Sequence, residues 1–515
     1  MSAQMQICPP RPQPGSVVVN PVDLFSQNGV LNVDLTLQNA VGDDGYMHYC
    51  YVYMYQGQQI ESPSLRLNPG DTLNLDLTNN IQAPYDKNPP TRRRGATGMM
   101  HMHGTGKPSD DPCHGTMILP SSTNVHFHGL NVPPVCHQDD VINTIIQSGD
   151  PAFSYSVQIP ANDNPGLYWY HPHPHGFSTI QLNGGASGAL IIEGNNPLTD
   201  GLTERVLVVR QLFQNPGLWL PQPYVLTLNY QQSNPPRQPL PRIQMQPGKR
   251  EFWRILNASN QGFLTLQVKF GFDVQQLEVL ALDGVPLQQP TYYTTITVPP
   301  AGRVELITPG LPSGMTGTFE TAGYDTGPTG NPNNAQVIAK LEPSSKQVGG
   351  RTVTRHAATP GPQRFAALTL QQPTAKRQLY FSELTPGTNG PIQFLITVLG
   401  QRPKVFEMDD PPAIVTKVGA VEDWTIENHS GETHAFHIHQ LHFLVMAING
   451  VPVQNPTLQD TFQVPNWDGK GPYPSVTLRM DFRDPNIAGT FVYHCHILDH
   501  EDGGMMAKIQ VLPAN

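Results

Sequence analysis

A three-fold internal repeat limits what this chain can fold into more than any other feature. Gly70 is followed nine residues later by Asn79, Gly248 by Asn257 and Gly419 by Asn428. Each stretch reads as a glycine turn, a run with apolar residues at alternate positions (Leu73, Leu75 and Leu77 in the first copy) and a polar stop, the pattern of a half-buried strand. A second recurring stretch closes each copy: Gly166-Leu-Tyr-Trp-Tyr170, Gly317-Thr-Phe-Glu-Thr321 and Gly489-Thr-Phe-Val-Tyr493. The expectation is an all-β chain of three consecutive β-sandwich units of short strands. At 515 residues the chain is too long for one core, and 46 glycines with 53 prolines suit a turn-rich β protein. The punctuation places the first unit at 1–197, ending in Ile191-Ile-Glu-Gly-Asn-Asn-Pro197, and the second at 198–343, ending near Leu341-Glu-Pro343. A polar linker, 344–375, carries Gly349-Gly350 and Pro360-Gly-Pro362 and could run along the outside of the second unit. The third unit is 376–515.

The 19 histidines are distributed against this repeat very unevenly. None lies between His175 and His356, so the middle unit has none, while four His-x-His pairs fall in the outer units: His126/His128, His171/His173, His437/His439 and His494/His496. At i and i+2 of an extended chain both rings face one side. Two of the pairs occupy equal offsets, five and seven residues after Gly166 and after Gly489; the same offsets after Gly317 give Ala322 and Tyr324. Matching pairs on matching strands, absent from the middle copy, point to eight imidazoles converging between units one and three. Such a set would hold a metal cluster.

The run Gly489-Thr-Phe-Val-Tyr-His-Cys-His-Ile-Leu-Asp-His500 joins that cluster to something else. Phe491, Val492 and Tyr493 favour a strand, and side-chain alternation sends Cys495 one way and His494 and His496 the other. His434, three residues before His437, has the opposite parity to the His437/His439 pair and joins Cys495 and His500 as a second site's imidazole. Thiolate, two imidazoles and a nearby Met are the ligand set of a blue-copper centre.

The net charge of −10 argues against nucleic-acid binding, and no apolar run approaches the roughly 20 residues that span a bilayer. Met1–Pro21 contains no apolar core flanked by basic residues, so no signal peptide is visible. With Cys495 on a metal, four cysteines remain, Cys8, Cys50, Cys113 and Cys136, which allow three pairings or none. Locality favours Cys8–Cys50 and Cys113–Cys136, and with them an oxidising compartment, secreted or periplasmic.

The motifs Asn124-Val-His-Phe-His-Gly-Leu130, Tyr168-Trp-Tyr-His-Pro-His173, His434-Ala-Phe-His-Ile-His439 and His494-Cys-His-Ile-Leu-Asp-His-Glu-Asp-Gly-Gly-Met505 resemble those of the multicopper oxidases, in the three-domain laccase-like branch of bacterial type. The resemblance runs over nearly the whole chain. It implies three cupredoxin-like Greek-key domains and four copper ions. Type 1 copper would be held by His434, Cys495 and His500 with Met505 as axial ligand, Met506 being the alternative. Type 2 would be held by His126 and His437, and the type 3 pair by His128, His171, His173, His439, His494 and His496. The implied activity is one-electron oxidation of phenols or aromatic amines with O2 reduced to water, Cys495 linking the two sites. A metallo-oxidase of Cu(I), Mn(II) or Fe(II) is the alternative enzyme, and a non-catalytic copper-binding protein the alternative of another class. The resemblance also implies proton-relay acids: Glu501, and an acid in the loop after His128, where Asp139 and Asp140 compete. An axial Met tends to lower a type 1 potential, which favours a low- to medium-potential oxidase. Arg479 and Asp481 are expected to be structural, and a monomer is expected.

The chain departs from the family between Ile81 and Asn124, where some forty residues stand in place of a short turn. They include Thr91-Arg-Arg-Arg-Gly95, Met99-Met-His-Met-His103 and Cys113 to Pro120. Thioethers with imidazoles suit Cu(I), so this stretch reads either as a copper-capture loop or as a stapled surface loop packed locally.

Overall fold

The computed structural model describes residues 7–82, 111–115, 117–213, 224–233, 238–354, 364–385 and 392–514. The Met/His-rich stretch Met99–His103 lies outside them. The described residues form six sheets. Two contain strands from Asp23–Phe25 to Gly188–Ile192, two from Thr203–Phe213 to Arg351–Thr352, and two from Ala375–Leu384 to Met506–Leu512. The chain is all-β, with cupredoxin-like sandwiches in succession.

The repeat is visible in strand pairing. Thr72–Asn80, Glu251–Ala258 and Ala420–Asn428 each run parallel to an earlier strand, Val30–Val41, Thr203–Phe213 and Ala375–Leu384 respectively. Gly70, Gly248 and Gly419 enter them with φ of 92°, 71° and 96°, a left-handed turn that glycine makes without a Cβ penalty. The three polar stops are fully buried. The Asn79 amide donates to the Ser121 and Ile146 carbonyls, Asn257 to those of Gly262, Val298 and Pro299, and Asn428 to those of Glu432 and Val464. Each asparagine thus ties down the loops at one end of its sandwich, which is why the polar residue recurs inside a core.

The closing strand of unit one, Gly166–His171, is buried on both faces. Tyr168 and Tyr170 enter that unit's own core. Leu167 and Trp169 pack instead with Ala189, Ile191, Val206, Val208, Leu256 and Leu498, so one apolar cluster draws on all three units. A fully buried side chain of this size contributes about 1.5–3 kcal/mol, enough in sum to hold the units in one arrangement. In unit three, Phe491, Tyr493 and Cys495 of Gly489–Cys495 face the unit's core, while His494 takes the opposite face.

Polar residues fix the same junctions. Arg66 of unit one bonds Asp23, Glu193 and Glu204, and Glu204 of unit two also accepts from Arg254 and Arg351. Arg351–Thr352 lies within the sequence expected to be linker, yet it pairs antiparallel with Thr203–Phe213. Its lack of strand periodicity hid this, since a two-residue edge strand leaves no periodic signal. Cys8 is bonded to Cys50 and Cys113 to Cys136, and Cys495 is free. Among the described residues no helix is long and apolar enough to cross a membrane.

Candidate metal centre

Strand geometry brings two groups of ligand-type side chains together. Phe436 lies opposite Cys495, and His437 opposite His494, across the pair His434–Ile438 and Gly489–Cys495. His434 therefore shares the face of Cys495, and His437 shares the face of His494. In unit one His126 lies opposite His171.

The first group is Cys495, His434 and His500, all buried. Cys495 Sγ lies 3.6 Å from His434 Nδ1 and 3.8 Å from His500 Nδ1, and the two nitrogens are 3.2 Å apart. The outer nitrogens are engaged elsewhere: His434 Nε2 is 2.7 Å from Ser430 Oγ and 3.4 Å from Glu383, and His500 Nε2 is 3.5 Å from Glu432. Phe394 stacks on His500 at 4.1 Å. Burial pushes the Cys495 thiol far above its ordinary range, so a thiolate here requires a cation beside it. Burial and neighbouring Glu383 push Glu432 up to about 8. Met505 is fully buried in the core that contains Cys495, and its carbonyl accepts from the Cys495 amide. Met506 packs on the other side with Val141, Ile142, Phe406 and Val492.

The second group is the eight histidines of the four pairs, all buried. They converge in triplets: His126, His128 and His437; His128, His171 and His496; His173, His439 and His494. His494 Nε2 lies 3.3 Å from His173 Nε2 and 3.2 Å from His439 Nε2. His126 stacks on His439 at 3.7 Å, and His128 on His437 at 4.0 Å. Burial lowers the pKa of each ring, to about 4 for His437 and about 3 for His173; repulsion from neighbouring rings adds to it in all but His437, where Arg303 adds to it and Asp460 opposes. Neutral imidazole is the form that binds metal. His126 Nε2, His128 Nδ1, His171 Nε2, His437 Nε2, His439 Nδ1 and both nitrogens of His496 are buried without a hydrogen-bond partner. Leaving so many polar atoms unsatisfied is costly, and metal coordination removes the cost. The donor sets fit copper: sulfur with two imidazoles in one place, imidazoles alone in the other.

The acids separate clearly. Asp139 lies 3.0 Å from His126 Nδ1 and accepts from the Phe127 amide and Gln440; burial pushes it up to about 8. Asp140 instead accepts from the Asn143 amide and side chain and shapes the loop. Glu501 is fully buried between His173 Nδ1, at 3.5 Å, and His494 Nδ1, at 3.4 Å, and burial with neighbouring Asp502 holds it well above the carboxylate range. Two residues were not visible as site residues in the sequence. Asp460 reaches His128 and the carbonyl of the same residue reaches His437. Arg303, from the histidine-free middle unit, pairs with Asp460. Neither sits in a motif, and their contacts span 332 and 157 residues. Arg479 pairs with Asp423 and Asp481 with Arg483, away from both groups. His429 stacks between Tyr380 and Tyr473, and His442 bonds the Asp283 carbonyl.

Three family models described as multicopper oxidase match residues 116–197, 204–309 and 375–515, together well over half of the chain. A multicopper oxidase of Staphylococcus haemolyticus is 23% identical over 508 residues, covering 94% of this chain and 89% of that protein. A laccase of Bacillus subtilis is 22% identical over 492 residues, covering 86% and 89%. Among solved structures, a multicopper oxidase of Campylobacter jejuni, described as a metallo-oxidase, superposes with a TM-score of 0.69 at 21% identity and covers 99% of this chain and 98% of its own.

Proposed function

The chain belongs to the multicopper oxidase family and is a copper-dependent, laccase-like oxidoreductase, and from that premise we propose that it withdraws single electrons from phenols and aromatic amines and delivers them to O2, which is reduced to water. We assign four copper sites. His434, Cys495 and His500, together with Met505, would hold one; His126 and His437 would hold a second; His128, His171 and His496, and His173, His439 and His494, would hold a pair. When bound, the four ions supply the one-electron redox steps that together match the four electrons O2 requires. The observation that carries this reading is the junction at Cys495. Its sulfur faces His434 Nδ1 and His500 Nδ1 at 3.6 and 3.8 Å, while its two peptide neighbours belong to the eight-imidazole group.

The protein's own groups complete the chemistry. Glu501, which burial holds above the ordinary carboxylate range beside His173 and His494, and Asp139 beside His126 are placed to pass protons toward the cluster. At the other site, Glu383 next to the outer edge of His434 can accept the proton that a phenol or aromatic amine loses with its electron. The same edge favours a second reading. Glu383 and Glu432 offer carboxylate oxygens that could bind Cu(I), Mn(II) or Fe(II), the metal taking the place of the proton on Glu432, as befits a metallo-oxidase. Two disulfides suit an oxidising compartment, and we place the protein outside the cytoplasm, secreted or periplasmic, as a monomer.

Metal analysis with a visible spectrum should give about four coppers per chain and an intense Cys–Cu absorption. Steady-state O2 uptake with a phenol and with Cu(I) separates the two donor classes. Background uptake with phenols beside rapid uptake with Cu(I) would replace the first reading by the second.

A further inference from the structure

The middle unit carries no member of either ligand group, yet its Arg303 reaches the histidine cluster through one carboxylate. Arg303 is fully buried at the start of the strand Arg303–Thr308. Its guanidinium forms a bidentate pair with Asp460 of unit three, at 2.7 and 2.6 Å. Its Nε donates to the Leu167 carbonyl of unit one, on the strand that ends at His171, and Nη2 donates to the Asp283 carbonyl of its own unit. One side chain therefore touches all three units. Asp283 closes the arrangement: one oxygen accepts from the Arg303 amide at 2.8 Å, the other from the amides of Asp460 and Thr461 at 3.2 and 3.3 Å.

Asp460 acts on two rings of the cluster at once, and its Oδ2 lies 3.4 Å from Nε2 of His442 outside it. Its side-chain Oδ1 lies 3.2 Å from His128 Nε2, and its backbone oxygen lies 2.8 Å from His437 Nδ1. A carboxylate paired with a guanidinium accepts and does not donate, and so does a peptide carbonyl. His128 must therefore carry its proton on Nε2 and His437 on Nδ1. The nitrogens left with lone pairs are His128 Nδ1 and His437 Nε2, the two buried without partners. The stacked rings thus present opposite nitrogens to the cluster.

We infer that Arg303, Asp460 and Asp283 form an interdomain clamp that sets the tautomers of His128 and His437, making the middle unit a positioning element of the cluster. This rests on reading those histidines as copper ligands. Removing a partner that orients a ligand typically lowers metal affinity about 10- to 100-fold. In Arg303→Gln and Asp460→Ala, cluster copper should be lost to a competing chelator at least about tenfold more readily, while the Cys–Cu absorption of the other site is unchanged. Arg303→Lys, which keeps the charge and loses the fork, should fall between and serves where the stronger variants fail to fold. In the copper-free protein, nitrogen NMR of 15N-histidine should show His128 protonated at Nε2 and His437 at Nδ1, with His128 becoming a tautomer mixture in Asp460→Ala. Chelator resistance within about twofold of wild type in all three variants, or His128 protonated at Nδ1 in the wild type, would overturn the clamp. His128→Ala and His437→Ala separate the layers: copper loss there without loss in the clamp variants defeats the clamp alone, and no loss anywhere defeats the ligand assignment beneath it.

Discussion

The two ligand groups meet at Cys495 but are built in different ways. The sulfur group is made within unit three, from one strand end, the short helix after it and the neighbouring strand, and its outer nitrogens rest on Ser430, Glu383 and Glu432 of that same unit. The eight-imidazole group is made across a boundary. Half its members come from unit one and half from unit three, and its orienting partners include Arg303 from unit two. A site within one sandwich needs only that sandwich to fold. A site between sandwiches exists only when the units dock, so its supporting residues are the salt bridges and apolar contacts of the docking itself.

Breaking the junction should have the largest effect. Cys495→Ser should abolish the Cys–Cu absorption and reduce oxidase activity to background, while copper analysis and magnetic resonance still detect the cluster; a variant with wild-type turnover would remove Cys495 from the electron path. The next largest effect belongs to the cluster's protons. Glu501→Gln should lower turnover by about a hundredfold or more with copper content retained, and Asp139→Asn by about ten- to a hundredfold. Asp140→Asn, which alters only a loop cap, should stay within about twofold; an equal loss at both aspartates would reverse their assignment.

Docking is tested by Glu204, which joins Arg66, Arg254 and Arg351 across the first junction. Its arginine partners overcome the burial cost and hold its pKa below the ordinary 4.5. A depressed carboxylate stabilises the fold fully above its unfolded value and loses that contribution as pH falls through the folded one. Glu204→Gln should cost about 3 kcal/mol near neutral pH, seen as a lower thermal midpoint. The gap to wild type should narrow below about pH 4.5, where the carboxylate of the unfolded chain begins to take up protons while the folded one stays charged. A gap that stays constant down to pH 3 would deny the ion pairs this role. The smallest effect is expected at the axial position. Met505→Leu should raise the reduction potential of the sulfur site while its absorption persists, and Met506→Leu should leave the potential unchanged; the opposite pattern would exchange the two methionines.

Much of this organisation is legible in the sequence. The Gly-to-Asn spacing marked three strands that do repeat, and the parity of His434 against His437 put the first with Cys495 and the second with His494. Alternation along an extended chain is local, so a sequence displays it directly. The linker shows the limit, because Arg351–Thr352 joins a sheet through a partner about 150 residues away and has no pattern of its own.

By itself, then, the sequence determined the strand plan, the membership of the two side-chain groups and their meeting at Cys495, all consequences of short-range periodicity. The tertiary structure alone decided which nitrogens His128 and His437 present, which of Asp139 and Asp140 faces His126, which of Met505 and Met506 shares the core of Cys495, and that an arginine of the histidine-free unit reaches Asp460 beside the cluster. These depend on where a hydrogen-bond acceptor lands after distant strands pack, and orientation of that kind is fixed by packing between units rather than by spacing along the chain.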